Sequence, residues 1–353
     1  MRVPGDVPGE QPRAARKAVS TRALASGLSA VMLLQVVPAH GSSASAQTPE
    51  KPKDVPTFGV TTELVYVRFH VERKGAPVAS VTKDQIRVLE DGKPQAIALL
   101  DTPSLEKRSL PPEVTLAIDV SGSVMDARLL DEELIRDVFI AGLSEETSVG
   151  LCAFGGELRC FAPPTRDVRA LLNGFQEALF FAREMRHQGT RLYGSVAEIC
   201  EEEEKTAAKT QRAVVVFSDG IDNRGGKVQQ AIDAAAQADV RVYAVKLSQQ
   251  YQATAPGRLG GGGFDGPRAT YDYRKFDLDK LAGETGGRAY EPQTLSKKKL
   301  AEILADIAES IRMEYVVGYA PASVPSGKKR RIKVELVDKS IGSIPDGERT
   351  LVR

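Results

Sequence analysis

The chain has 353 residues, 42% hydrophobic and 27% charged, enough to bury a core of ordinary size in one or two domains. A formal charge of +1, with 6% aromatic residues and no Trp, argues against a nucleic-acid partner, since both the basic surface and the stacking platforms are lacking.

Arg13, Arg16, Lys17 and Arg22 precede the apolar, small-residue run "ALASGLSAVMLLQVV", and Ala44 and Ala46 in "PAHGSSASAQ" form an A-x-A cleavage pattern. The run covers residues 23–37, shorter than the ~20 residues a spanning helix needs. Residues 1–46 therefore read as a secretory signal cut before Gln47. Cleavage removes five basic and two acidic residues and takes the formal charge from +1 to −2. With no second hydrophobic span, the mature protein is expected to be exported, periplasmic or extracellular, without a transmembrane span.

Residues 47–56 form a Pro- and Lys-containing linker, and residues 57–104 an N-terminal β segment. Within it, "VTTELVYVRFHVERKG" alternates with period two, and Asp91-Gly92 is a turn signal between "IRVLE" and "KPQAIAL". After the polar connector "PSLEKRSLPPE" the pattern changes. The runs "VTLAID", "SVGLCAF", "AVVVFSD" and "VRVYAVKL" read as strands buried on both faces. Helical spacing separates them at 126–143, 167–179, 191–209 and 227–238, and recurs at 277–285 and 296–311. The order over 112–312 specifies an α/β fold, a Rossmann-like, mostly parallel sheet flanked by helices. The Gly-rich loop within 248–274 lacks the strand, helix and Lys-Ser/Thr ending of a phosphate cradle. Residues 314–353 return to β character, and neither terminal β segment is large enough to bury a core alone, so the two are expected to pack as one smaller β unit.

Three cysteines, Cys152, Cys160 and Cys200, leave one unpaired within a monomer. Cys152 and Cys160 flank "AFGGELR", which reads as a hairpin tip. A three-residue loop would set them opposite each other, a two-residue loop on opposite faces, and a buried free thiol is as good a reading as a bridge.

Ligands of open α/β sheets collect at the carboxyl ends of the strands. Asp119 closes the first strand, with Ser121 and Ser123 in a turn before a helix beginning near Asp126. Asp219 closes another strand ahead of Gly220, and Thr190 follows Gly189 at a helix start. Singly these are ordinary caps and turns. Together they form an all-oxygen set suited to a hard divalent cation. Asp222 and Asn223 read as turn residues beside it, and Glu201 to Glu204 as a solvated helix end supported by the Glu201 to Lys205 spacing. His70 and His187 have no partner in sequence that would make a zinc site or a catalytic base.

At this point residues 112–312 resemble the von Willebrand factor A-type domain, whose discontinuous metal-ion-dependent adhesion motif is matched by Asp119, Ser121, Ser123, Thr190 and Asp219. The resemblance implies that the three hydroxyls and two carboxylates hold Mg²⁺, or Mn²⁺ or Ca²⁺, directly or through water, with one position left for an oxygen from outside. The flanking segments "VERKGAPVASVTKDQIRVLEDGKPQAI", "EYVVGYAP" and "RRIKVELVD" look like those of an exported bacterial subfamily best known from acidobacterial genomes. The chain departs from that subfamily at Gln85-Ile86, at Gly194 beside the site, and in stopping at "RTLVR".

The implied function is a non-enzymatic adhesion module that captures an Asp or Glu carboxylate of a partner protein through the metal. The alternatives are a structural envelope component with a stabilising metal, and a metal-dependent phosphatase-like hydrolase with Asp119 as nucleophile. The last would want an Asp two residues on, where Ser121 stands, and no G-x-S-x-G elbow or Ser-His-Asp set is present. Oligomeric state is left open.

Overall fold

Continuous β-branched runs build the centre of the fold, because only strands covered on both faces can bury every side chain. The computed structural model describes residues 64–126, 130–205, 209–247, 277–321 and 328–352. The signal, the linker, the start of the N-terminal β segment and the Gly-rich loop lie outside them.

The N-terminal segment contributes β1 (Val65–Phe69), the short hairpin β2 (Glu72–Arg73) and β3 (Ala76–Pro77), then β4 (Ile86–Glu90), β5 (Lys93–Gln95) and β6 (Ile97–Asp101). Asp91 and Gly92 have φ of 48° and 81°, so β4 and β5 are joined by a two-residue turn of the kind Asp-Gly favours. The α/β region follows with β7 (Pro112–Asp119), α1 (Gly122–Asp126), β8 (Ser148–Phe154), β9 (Leu158–Thr165), α2 (Val168–Met185), α3 (Leu192–Glu204), β10 (Gln211–Ser218), α4 (Val228–Gln237), β11 (Arg241–Lys246), α5 (Leu278–Thr285), β12 (Ala289–Tyr290) and α6 (Lys297–Arg312). Strands β13 (Tyr315–Tyr319), β14 (Lys329–Leu336) and β15 (Glu348–Val352) end the chain.

The central sheet has the order β12-β11-β10-β7-β8-β9, parallel except for β9. One face carries an apolar layer including Phe139, Phe175, Phe181, Leu300 and Ile307, the other a layer including Leu192, Val196, Ile232 and Leu281. The Asp167 carboxylate accepts from the Arg169 amide at 2.9 Å and so caps α2; Ser296 does the same for α6.

Two expected boundaries move, and one expected solvated face does not hold throughout. The helix expected over 126–143 is instead α1, starting four residues earlier, and a wide π-type run at Leu134–Ile140, where the Ala141 amide reaches back to the Arg136 carbonyl. Helix α2 runs six residues beyond Leu179, because Phe181, Ala182 and Met185 continue its buried face. The acidic run at the end of α3 is not wholly solvated: Glu203 turns inward and is 8% exposed, while Lys205 pairs with Glu202 rather than Glu201.

The hairpin tip between Phe154 and Leu158 holds three residues, which puts Cys152 opposite Cys160, and the two form a disulfide; Cys200 is a buried free thiol.

The terminal segments meet in two antiparallel sheets. Strand β13 lies between β1 and β6, and β14 pairs with both β4 and β15. Phe69, Val88, Tyr315, Tyr319 and Ile332 make their shared core. This β unit sits at the amino ends of the parallel strands. The Arg68 guanidinium donates to the carbonyls of Arg212 (2.7 Å) and Asp239 (2.6 Å), and Arg241 pairs with Glu314 at 2.6 Å and Asp346 at 2.8 Å. His70 is bound to Asp346 and to the Ser310 carbonyl, both at 2.9 Å, which accounts for it structurally.

Candidate metal centre

The register of the two central strands sets the site. Ile118 is level with Phe217, so the next residues, Asp119 and Ser218, stand side by side at the carboxyl edge of the sheet. The Ser218 hydroxyl donates to Asp119 Oδ2 at 2.7 Å, and the Ser121 amide donates to Asp119 Oδ1 at 2.8 Å. Asp219, one residue past β10, repeats the same turn: its Oδ1 accepts from the Ile221 amide at 3.0 Å. Its Oδ2 accepts the Ser123 hydroxyl at 2.6 Å, and Ser123 Oγ lies 3.3 Å from Ser121 Oγ. Four of the five expected ligands are thus joined in one chain of contacts, Asp119, Ser121, Ser123 and Asp219.

Thr190 reaches the same edge by backbone contacts. Its amide donates to Asn223 Oδ1 at 2.7 Å, its carbonyl accepts from the Asn223 amide at 3.1 Å, and it is 4% exposed. The next amide, Arg191, bonds the Gly155 carbonyl at 2.8 Å, while Phe154 accepts from Val120, so the Thr190 loop is moored to both neighbouring segments. Asp222 accepts from the amides of Tyr193 (3.0 Å), Arg224 (3.0 Å) and Gly226 (3.1 Å), satisfying an otherwise orphaned donor of the first turn of α3. The two turn residues Asp222 and Asn223 therefore position Thr190 and α3.

Ser218 is the residue that sequence reasoning missed. It is fully buried and accepts from the Gly220 amide at 3.0 Å while donating to Asp119. The signal was present in "FSDG", a hydroxyl directly before the strand-end carboxylate.

Burial pushes Asp119 up to about 7, the negative charge of Asp219 pushes the same way, and the Ser121 and Ser218 hydrogen bonds oppose both. A fully buried carboxylate facing a second one is a place where a dication relieves both desolvation and repulsion. The donors are hard oxygens of the kind Mg²⁺, Mn²⁺ and Ca²⁺ take. Among the described residues no group of three or more His, Cys, Asp or Glu side chains is placed to hold a metal, and the cluster at this edge combines carboxylates with serine hydroxyls.

No helix among the described residues is long and apolar enough to cross a membrane. No curated protein matches the chain at significance. Among solved structures, the chain is similar to an aerotolerance-related membrane protein from Bacteroides fragilis (19% identity, 56% of this chain and 99% of that one, TM-score 0.40). It is likewise similar to BatB from Bacteroides thetaiotaomicron (17% identity, 56% and 99%, TM-score 0.39). A third is a von Willebrand factor type A protein from Catenulispora acidiphila (11% identity, 82% and 73%, TM-score 0.42). The family match covers residues 113–283, from β7 into α5, and takes in all five expected ligand positions. Residues 113–283 are a von Willebrand factor type A domain.

Proposed function

We propose that this chain is a non-enzymatic, extracytoplasmic protein-binding module whose type A domain holds a divalent metal on Asp119, Ser121, Ser123, Thr190 and Asp219 and captures an Asp or Glu side chain of a partner protein. The observation that carries the reading is the 2.6 Å contact from Ser123 to Asp219, which closes the first and third ligand segments onto one another beside the buried Asp119. When bound, the metal would supply a positive centre that exchanges a water for an anionic oxygen. The chain's own part is to hold the hydroxyls and keep Asp119 out of solvent. That burial also speaks against Asp119 as a nucleophile, since its carboxylate has no exposed surface from which to attack and both oxygens are engaged.

The direct test is calorimetric titration of the purified chain with Mg²⁺ and Mn²⁺. One site is expected, lost in Asp119→Ala with far-ultraviolet dichroism unchanged. Equal metal affinity in parent and variant would remove the assignment. Capture of a partner from envelope extract should then disappear with chelator and in a folded Ser121→Ala, Ser123→Ala variant. Capture that survives both would leave the metal a structural role.

A further inference from the structure

Three arginines stand around the candidate centre, each packed on a glycine that belongs to, or adjoins, a ligand segment. Arg186 lies over Gly122, between the two serines: a Cβ there would come 3.3 Å from its carbonyl oxygen and 3.4 Å from its Cγ. Arg224 lies over Gly189, next to Thr190, where a Cβ would meet its Nε at 3.2 Å, and this Nε donates to the Gln188 carbonyl at 2.8 Å. Arg191, the residue after Thr190, folds back along α3 over Gly194, where a Cβ would come 2.7 Å from its Nε. The bare position at Gly194 is what lets that side chain lie down and reach Glu198 at 2.9 Å.

Arg186 and Arg224 are exposed, and the Arg191 and Glu198 side chains of the ion pair are 40% and 44% exposed. Arg191 and Arg224 are the two whose surroundings decide the matter. Asp222 accepts from three backbone amides, Asp219 accepts from Ser123 and Ile221, and Glu198 pairs with Arg191. His187 and Lys227, both exposed, add no negative charge. A pair as exposed as Arg191 with Glu198 holds weakly and can be exchanged for an incoming carboxylate at little cost.

Resting on the metal-centre reading above, we infer that the partner surface is an acidic protein segment with several carboxylates, one for the metal and at least one more for Arg191 and Arg224. A lone carboxylate uses the centre alone. A cluster uses the centre and the rim, and the rim contributes steering and selectivity.

The test uses the full chain and two capped peptides, one with a single glutamate among Gly and Ser residues and one with three, titrated by NMR with and without Mg²⁺. The three-glutamate peptide is expected to bind more tightly, and to lose affinity with added NaCl more steeply than the other. Arg191→Gln and Arg224→Gln should each weaken it by up to about fivefold, as expected for one exposed charge pair, and leave the single-glutamate peptide unchanged. Glu198→Gln removes the internal competitor of Arg191 and should tighten the three-glutamate peptide, a gain that a misfolded variant cannot give. Equal Mg²⁺-dependent binding of the two peptides, untouched by all three variants, would overturn the inference and leave the metal centre standing. Arginine-dependent binding without Mg²⁺ would instead support the rim and sink the metal reading. Binding of neither peptide under any condition, or of polygalacturonate in place of both, would overturn the acidic-segment partner.

Discussion

Glu203 gives the sharpest quantitative expectation. It sits in the last turn of α3 and accepts the Thr115 hydroxyl at 2.7 Å on one oxygen, and its other oxygen has no hydrogen-bond partner among the described residues. Burial raises its carboxyl from 4.5 to about 7, against the Thr115 hydrogen bond and the charges of Arg212 on β10 and Arg68 on β1, with Glu113 on β7 adding repulsion. Because the folded pKa lies above the unfolded one, the folded chain keeps a proton between about pH 4.5 and about pH 7 that the unfolded chain has released, so stability falls as pH rises through that window and levels off above it. At about 1.4 kcal/mol per pH unit the fall is about 3 kcal/mol. Glu203→Gln keeps the size and an acceptor for Thr115 and cannot ionise. Urea unfolding of parent and variant from about pH 4.5 to about pH 8 isolates the one group, because every other titration cancels in the difference. The parent should lose about 3 kcal/mol relative to the variant across the window. Parallel curves would refute the reasoning and show that Glu203 is solvated or paired.

Ser218→Ala removes a donor from the buried Asp119, and should cost about 1–3 kcal/mol in thermal unfolding while weakening, without abolishing, Mg²⁺ binding by calorimetry. Replacing both Cys152 and Cys160 by Ser releases a cross-link between residues eight apart, and a loss of about 2.5 kcal/mol in urea unfolding is expected, with the variant indifferent to reductant. Glu314→Ala leaves Arg68 and Arg241, each 3% exposed, without their shared counter-charge, and should lower stability by about 3–5 kcal/mol in the same assay.

The parts of this protein that were legible in sequence are those where one residue type has one physical use. Runs such as "AVVVFSD" have no reading but a strand covered on both sides, and Asp91-Gly92 none better than a tight turn. The candidate site was legible only as a set, since each residue singly is an ordinary cap or turn; what the structure adds is the chain of contacts that joins Asp119, Ser121, Ser123 and Asp219. What escaped depends on register and on choices among equivalent rotamers. Ser218 matters only because β10 is level with β7, and nothing local specifies that offset. Glu203 is one of four consecutive glutamates, and which of them turns inward is decided by the Thr115 hydroxyl on a distant strand. The fate of Cys152 and Cys160 turned on whether the hairpin tip held two residues or three. The wide helical run at Leu134–Ile140 has an ordinary apolar spacing and no sequence mark of its widened turn.

The β unit grips the parallel sheet at its amino ends, while the candidate centre lies at its carboxyl ends, so β7 and β10 span the distance between them lengthwise. A tug between a captured partner and the terminal strands would therefore run along these strands. Their inter-strand hydrogen bonds would be sheared together rather than opened one after another, the geometry in which a sheet resists longest. Single-molecule pulling between the rim and β1 should give high rupture forces, whereas unfolding of the sheet at low force would show that the load takes another route.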